Sequence, residues 1–170
     1  AIKAKIIRSQ GEDPNKKYHH PLLGHNFRMP DINAAIGLAQ MARMKKVLAN
    51  RKQAAEYYIS KLHSHQHIVI PHVESNCVHA WFLFPILIPN RDKVKENLAE
   101  KGIDTNISWP IPIYDQKIYR VFKKDICPVA EKITKEILCL PMFYKITKEK
   151  LDYVIEHLMT AVESFAGKDE

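Results

Sequence analysis

Hydrophobic residues recur at helical spacing through the first third of the chain, which predicts one long α-helix of about 30 residues. The apolar positions that fall on this spacing are Ile32, Ala35, Ile36, Ala39, Met44, Val47, Leu48, Ala55, Tyr58 and Leu62. Pro30 suits the first turn, because its missing N–H costs nothing there, and Asp31 complements the helix dipole. We therefore predict a helix that begins at Pro30 and crosses a domain or packs against a partner.

Shorter stretches rich in β-branched and aromatic residues predict a small sheet after this helix. Strands are expected at 67–70, 79–88 and 103–108, with an extended segment at 138–143. Pro85 should lie at a bulge or a sheet edge, because proline cannot donate a backbone hydrogen bond. The pattern thus predicts a mostly antiparallel sheet of three to four strands.

Three further helices are predicted around this sheet. One covers 93–101 and ends at Gly102, a residue that suits a helix C-terminus, and another covers 127–137. The last helix is opened by Thr147 as its N-cap and carries a buried stripe that starts at Leu151. These elements predict an α/β fold (an α+β small domain), with a sheet backed by helices and one long leading helix.

Composition narrows the class of protein. The chain has 170 residues, of which 46% are hydrophobic and 26% charged, a profile typical of a globular domain. Its net charge of +7 attracts anions, but the cations are scattered, so we expect no nucleic-acid partner. The longest apolar run, 80–88, is too short for a membrane span. With no visible secretory signal, we expect a cytoplasmic protein without a membrane partner.

Several kinds of site are disfavoured by the sequence. The five glycines are too far apart for a Gly-rich phosphate loop, and no serine has a Gly-x-Ser-x-Gly setting. The alternating residues His63, His65 and His67 would share one face of a strand. Since the first should end a helix, a solvated turn is favoured over a zinc site, and no metal is expected.

The segment before the long helix is the best candidate for binding chemistry. Asn26 can donate its amide hydrogens to a phosphate oxygen, and Arg28 offers a planar fork for phosphate or carboxylate. His20 and His25 lie in the same loop. Spacing alone leaves two interpretations open: an anion site, or a turn capped by Asn26 beside a surface arginine.

Ordered matches along the chain resemble the DegT/DnrJ/StrS-type sugar aminotransferases. Residues 24–29, Gly-His-Asn-Phe-Arg-Met, resemble the family's Gly-Tyr-Asn-Tyr-Arg-Met, and 34–40 resemble its Ala-Ala-x-Gly-x-x-Gln helix. Residues 109–114, Trp-Pro-Ile-Pro-Ile-Tyr, are similar to Tyr-Pro-x-Pro-Leu-His, and 128–131 to Pro-x-Ala-Glu. Arg51 resembles the arginine in the second half of the family's long helix.

The resemblance implies an aspartate-aminotransferase fold that uses pyridoxal phosphate. Such enzymes transfer an amino group, typically from glutamate, to a keto group on a nucleotide-linked deoxysugar, for surface-polysaccharide or amino-sugar biosynthesis. Residues 1–29 would be the tail of the cofactor domain with an active-site loop, and 30–170 the C-terminal small domain with its interdomain helix. The cofactor-binding lysine would lie in a preceding N-terminal domain, so the 170 residues alone should be inactive.

The resemblance also implies a homodimer whose active sites lie between subunits. Asn26 would reach the phosphate of pyridoxal phosphate in the neighbouring subunit, and no catalytic residue would lie in this chain. Contacts to the nucleotide-sugar substrate would come from Arg28, His20, His25, Trp109 and Tyr114. Tyr114 stands where the family usually has histidine, and His25 where it usually has an aromatic residue.

A stand-alone, non-catalytic module derived from that family is the alternative hypothesis. Such a module would bind a partner or a phosphorylated ligand, and it predicts a polar surface where the large domain of an aminotransferase would dock. A portion of an aminotransferase predicts an exposed apolar face instead, where the rest of the enzyme docks.

Overall fold

A computed structural model of the chain describes residues 1–122 and 127–166. Residues 1–45 and 46–170 form two compact units. Within the described residues there are two short strands, β1 (Phe84–Leu87) and β2 (Ile137–Leu140), and five α-helices: α1 (Ile2–Arg8), α2 (Asp31–Leu62), α3 (Arg91–Glu100), α4 (Pro128–Glu136) and α5 (Lys148–Phe165). Two short 3-10 helices cover Ile113–Asp115 and Arg120–Phe122. This architecture confirms the predicted α/β class and each predicted helix to within a few residues.

The helix ends follow the predicted signals. Pro30 immediately precedes α2. The Thr147 hydroxyl accepts a hydrogen bond from the backbone N–H of Lys150 and so caps α5. Gly102 follows α3 with φ +72°, a conformation that glycine adopts without strain. Within the described residues, no helix combines the length and the apolar character that crossing a bilayer requires.

The sheet is antiparallel as predicted, but the expected three to four strands are wrong. Only β1 and β2 pair as strands in the described residues, with Phe84 opposite Leu140 and Leu87 opposite Ile137. The segments predicted as strands at 67–70 and 103–108 each contribute a single bridge, Val69 to Leu87 and Asn106 to Cys139.

Prolines explain why these outer segments do not extend into strands. In the register set by the Val69–Leu87 bridge, two neighbouring residue pairs could also exchange backbone hydrogen bonds. These pairs are Pro71 with Pro85 and His67 with Pro89. Neither pair can complete a ladder, because proline has no N–H. Around the Asn106–Cys139 bridge the same limit comes from Pro141, opposite 104. Pro85 thus lies on the outer side of β1, as its chemistry requires.

The hydrophobic core lies within residues 46–166. The Tyr58 ring from α2 packs 4.8 Å from the Phe84 ring in β1, centroid to centroid. α3 and α5 pack against each other and contribute the fully buried side chains of Leu98, Leu158 and Val162. Burial of this kind stabilises by roughly 1.5–3 kcal/mol per large apolar side chain.

Candidate functional site

The loop that carries the candidate anion-binding residues is closed by backbone hydrogen bonds. The N–H of Phe27 donates to the carbonyl oxygen of Arg8, and the N–H of His25 to that of Ile7, each at 2.9 Å. Ser9 and Asn26 form an isolated antiparallel bridge. Because the two ends are joined in this way, the side chain of Asn26 is presented at a fixed place next to the end of α1.

Two glycines allow the loop to close. A Cβ on Gly11, whose φ is +80°, would lie 1.9 Å from the carbonyl oxygen of Leu22. A Cβ on Gly24 would lie 2.1 Å from the backbone nitrogen of Gly11. Both distances are well inside van der Waals contact, so only glycine fits where the two segments meet. Gly24 is the residue that opens the Gly-x-Asn-x-Arg pattern.

Asn26 and Arg28 lie together on an exposed surface. The Asn26 Oδ1 accepts from the Arg28 backbone N–H at 3.4 Å and from its Nε–H at 3.3 Å. Since both partners are donors, the Asn26 amide nitrogen faces away from them. No residue in the described part of the chain accepts a hydrogen bond from that nitrogen or from the terminal nitrogens of Arg28.

The two histidines of the predicted site are held differently. The His25 backbone is part of the loop closure, since its carbonyl oxygen accepts from the Gln10 N–H at 2.9 Å. Its ring is exposed and lies 5.2 Å from the Phe27 ring. The Nδ1 of His20 lies 3.2 Å from the carbonyl oxygen of Gln10. Gln10 therefore links the two histidines in one small region.

Trp109 and Tyr114 belong to the unit of residues 46–170, which is described by itself. Trp109 is 68% exposed and has φ +61°, a left-handed conformation that is strained for a bulky residue before a proline. Strained residues of this kind cluster at functional sites. The conformation thus gives Trp109 a physical reason to be considered, independent of the resemblance.

The Tyr114 hydroxyl is used inside the chain. It donates to Glu131 Oε1 at 3.1 Å and so joins the loop to α4. Desolvation raises the pKa of Tyr114, an effect that the backbone N–H of Cys127 opposes and the Glu131 carboxylate reinforces. Spacing alone did not single out Glu131, although the Pro-x-Ala-Glu match contained it.

Metal binding finds no support in the described residues. Within the ranges 1–122 and 127–166, no three side chains of the metal-binding types His, Cys, Asp and Glu converge. α2 ends at Leu62, so His63 lies outside the helix, and its Nδ1 lies 3.1 Å from the carbonyl oxygen of Ile59.

Comparison with known proteins decides the family. The sequence profile of the DegT/DnrJ/EryC1/StrS aminotransferase family matches residues 1–159. The chain belongs to that family. It is 33% identical over 166 residues to a GDP-perosamine synthase of Caulobacter vibrioides, covering 93% of the chain and 44% of the relative. It is 31% identical over 170 residues to a pleiotropic regulatory protein of Geobacillus stearothermophilus, covering 98% of the chain and 45% of the relative.

A solved relative has the same fold. NtdA from Bacillus subtilis, crystallised with bound cofactor PMP, superimposes with a TM-score of 0.85 at 27% identity, covering 95% of the chain and 39% of NtdA. PMP is the cofactor bound in that structure of NtdA. The chain spans less than half the length of the curated relatives that it matches.

The residues present fit a phosphate-bearing cofactor. A phosphate group takes several hydrogen bonds and favours a nearby positive charge. The Asn26 amide nitrogen supplies neutral donors, and the Arg28 guanidinium supplies charged ones. Both side chains are exposed, so a phosphate held by another polypeptide surface could reach them.

Proposed function

We propose that this chain is the C-terminal portion of a cytoplasmic, pyridoxal-phosphate-dependent aminotransferase. The enzyme transfers an amino group from glutamate to a keto group on a nucleotide-linked deoxysugar, for surface-polysaccharide or amino-sugar synthesis. The family match and the coverage of less than half of the curated relatives support this assignment. The remainder of the enzyme, an N-terminal domain with the cofactor-binding lysine, precedes residue 1.

The observation that carries the proposal is the paired, outward-facing set of donors on Asn26 and Arg28. When bound, pyridoxal phosphate supplies the electron-accepting ring that amino-group transfer requires. Asn26 donates its amide hydrogens to the phosphate, and the Arg28 guanidinium offsets part of the phosphate charge. The bonds from Arg28 to the Asn26 Oδ1 fix the amide so that its hydrogens face the ligand.

The first half of α2 supports the presence of a covering domain. Ile32, Ile36, Leu38 and Met41 are between 58% and 75% exposed. At about 100° per residue, the first two lie on one side of the helix and the last two on the opposite side. A helix that is apolar all round is normally buried. In the full enzyme we expect this segment to be enclosed by the preceding domain and by a second subunit.

The same surface favours an aminotransferase portion over the stand-alone module. A free module should carry polar residues on its outer surfaces, because large exposed apolar patches promote association. Instead, Leu23, Phe27 and Met29 are also exposed beside the candidate site. The site is therefore built to be completed by another polypeptide surface, and Asn26 acts on the cofactor of the neighbouring subunit in a homodimer.

The direct test uses the full-length reading frame. Full-length protein supplied with pyridoxal phosphate, glutamate and a nucleotide-linked keto-sugar should form amino-sugar, whereas the 170 residues alone should not. Loss of charge-assisted bonds in the full-length Arg28→Met variant should weaken cofactor affinity roughly 10- to 150-fold. Lys16→Met is the matched control: it removes a charge from the same loop and should change the cofactor affinity little. Absence of amino transfer by the full-length protein, or equal effects of both substitutions, would contradict the proposal.

A further inference from the structure

Arg51 in α2 carries a charge without an anionic partner in the described part of the chain. Its guanidinium carbon lies 5.5 Å from the centroid of the Phe82 ring. Its Nε is inaccessible to solvent and meets no hydrogen-bond acceptor. Within residues 1–122 and 127–166, no carboxylate lies at ion-pair distance from it.

The position of Arg51 on the helix shows which surface it belongs to. Successive residues of an α-helix are rotated by about 100° around its axis. On α2 this places five residues within a sector of about 80°: Leu48, Arg51, Ala55, Tyr58 and Leu62. The last three are fully buried in the core, whereas Leu48 is 39% exposed. The core-facing stripe therefore continues past Ala55 to Leu48, which the described residues cover only in part. Arg51 lies at this margin, and the ring of Phe82 beside it is 69% exposed.

A polypeptide that covers Leu48 and Phe82 would also cover Arg51. Removing a guanidinium from water is costly unless a carboxylate accepts its hydrogen bonds. The contact with the exposed Phe82 ring offsets only a small part of that cost. The nearby Glu56 does not serve this role, because it lies 3.7 Å from the Nζ of Lys52. No carboxylate among residues 1–122 and 127–166 fills this role, so we look for it on the covering surface.

We propose that Arg51 forms an interdomain ion pair with an aspartate or glutamate of the polypeptide that precedes this chain in the full-length protein. The proposal rests on the proposed function, since it requires that preceding domain. The acidic side chain lies beside Phe82 and accepts hydrogen bonds from the terminal nitrogens of Arg51. The pair fixes the orientation of α2 where it leaves its own core.

Thermal unfolding of the full-length protein tests this pair. Arg51→Met keeps most of the side-chain stem but leaves the acid buried and unpaired, so the midpoint should fall by roughly 5–10 °C. Arg51→Lys keeps the charge but lacks the planar guanidinium, so its thermal midpoint should fall less than that of Arg51→Met. Lys52→Met removes a neighbouring, exposed charge and should shift the midpoint by less than about 2 °C. Equal shifts for Arg51→Met and Lys52→Met would overturn the proposal.

Double-mutant cycles identify the partner. Each acid of the preceding domain is changed to its amide, alone and with Arg51→Met or, should that variant not fold, with Arg51→Lys. We expect one acid whose replacement lowers the midpoint alone but adds little in the Arg51 variant. The proposal fails if no acid couples to Arg51. It also fails if the Arg51 variants raise the KM for glutamate while the midpoint stays unchanged, since a ligand carboxylate would then be the partner.

The same experiment separates this proposal from the proposed function. A full-length protein that transfers amino groups but shows no acid coupled to Arg51 would contradict the ion pair alone. A full-length protein with a coupled acid but no amino transfer would contradict the function and leave the ion pair standing.

Discussion

Tyr58 in α2 donates its hydroxyl hydrogen to the carbonyl oxygen of Pro141, 3.1 Å away, just after β2. The ring of Tyr58 is fully buried against Phe84. The bond satisfies a carbonyl that follows the last residue of the strand, and it attaches the long helix to the two-stranded sheet. Burial raises the pKa of Tyr58 above its ordinary value, because the charged phenolate is excluded from the core.

Replacing Tyr58 by phenylalanine should destabilise residues 46–166 and change the pH dependence of their stability. The Pro141 carbonyl loses its partner, which should cost about 1–3 kcal/mol at neutral pH. Above about pH 10 the unfolded chain releases the tyrosine proton while the folded chain keeps it. The free energy of unfolding therefore falls as the pH rises, by up to about 1.4 kcal/mol per pH unit. The fall continues until the pH reaches the pKa of Tyr58 in the folded protein.

Urea unfolding between pH 8 and about pH 12 measures this effect as a difference between wild type and Tyr58→Phe. The variant should lose less stability across this alkaline range. Tyr153 is the matched control, since its hydroxyl donates to the Lys101 carbonyl at 3.1 Å while its ring is half-exposed. An alkaline slope that Tyr153→Phe reduces as much as Tyr58→Phe would contradict the explanation.

Gly24→Ala should open the loop that presents Asn26. The added Cβ would meet the backbone of Gly11 at 2.1 Å, and backbone atoms cannot rotate away as a flexible side chain can. The cost should be at least about 1–3 kcal/mol of local strain. Hydrogen exchange is the measurement: the amides of Gln10 and His25, which close the loop, should lose their protection.

Gly37→Ala provides the contrasting substitution. A Cβ at this position in α2 meets no atom of the described residues within 4 Å. Alanine should therefore favour the helix by roughly 0.5–1 kcal/mol and leave the exchange of the loop amides unchanged. Equal protection of these amides in Gly24→Ala and Gly37→Ala would show that the close approach to Gly11 does not hold the loop.

The helices could be predicted from the sequence because their signals are local. Pro30, Asp31 and the apolar spacing mark α2, and the cap at Thr147 marks α5. The strands at 67–70 and 103–108 could not be resolved in the same way, because their residues favour extended backbone but pairing depends on what lies opposite. Only the register reveals that Pro85 faces Pro71 and stops the ladder.

The candidate site follows the same division between local and distant contacts. The juxtaposition of Asn26 with Arg28 was accessible from the sequence, since the two residues are close in the chain and both hold hydrogen-bonding groups. The pairing of Tyr114 with Glu131 spans 17 residues and depends on where α4 packs. Spacing carries no information about such a contact, and the Pro-x-Ala-Glu match contained Glu131 without assigning it to a site.

The bond between Tyr114 and Glu131 predicts a positioning role for the carboxylate. Tyr114→Phe removes the donor, so the loop that holds Trp109 should become more mobile and the thermal midpoint should fall by at most about 4 °C. Glu131→Gln keeps an acceptor oxygen and should have a smaller effect. In the full-length enzyme we expect Tyr114→Phe to raise the KM for the nucleotide-sugar and leave the KM for glutamate unchanged. Equal changes in both constants would argue against this role.

The assignment of Asn26 to the neighbouring subunit's cofactor can be tested by subunit complementation. Two inactive full-length variants are needed: Asn26→Asp, which places a negative charge against the phosphate, and one in which the cofactor-binding lysine is replaced. If Asn26 acts across the interface, a mixed dimer has one site with both residues intact and one with neither. Mixing the variants under conditions that exchange subunits should therefore restore activity, up to about a quarter of wild type for random pairing.

Complementation separates the two arrangements because they predict opposite results. If Asn26 served the cofactor of its own subunit, every site in the mixed dimer would carry one defect, and activity would stay at the level of the separate variants. Differently tagged subunits show by co-purification how far exchange has proceeded, and Lys16→Met mixed with the lysine variant is the control for mixing, because its number of active sites should be the same before and after exchange. Activity that does not recover despite demonstrated exchange would place Asn26 within its own subunit's site.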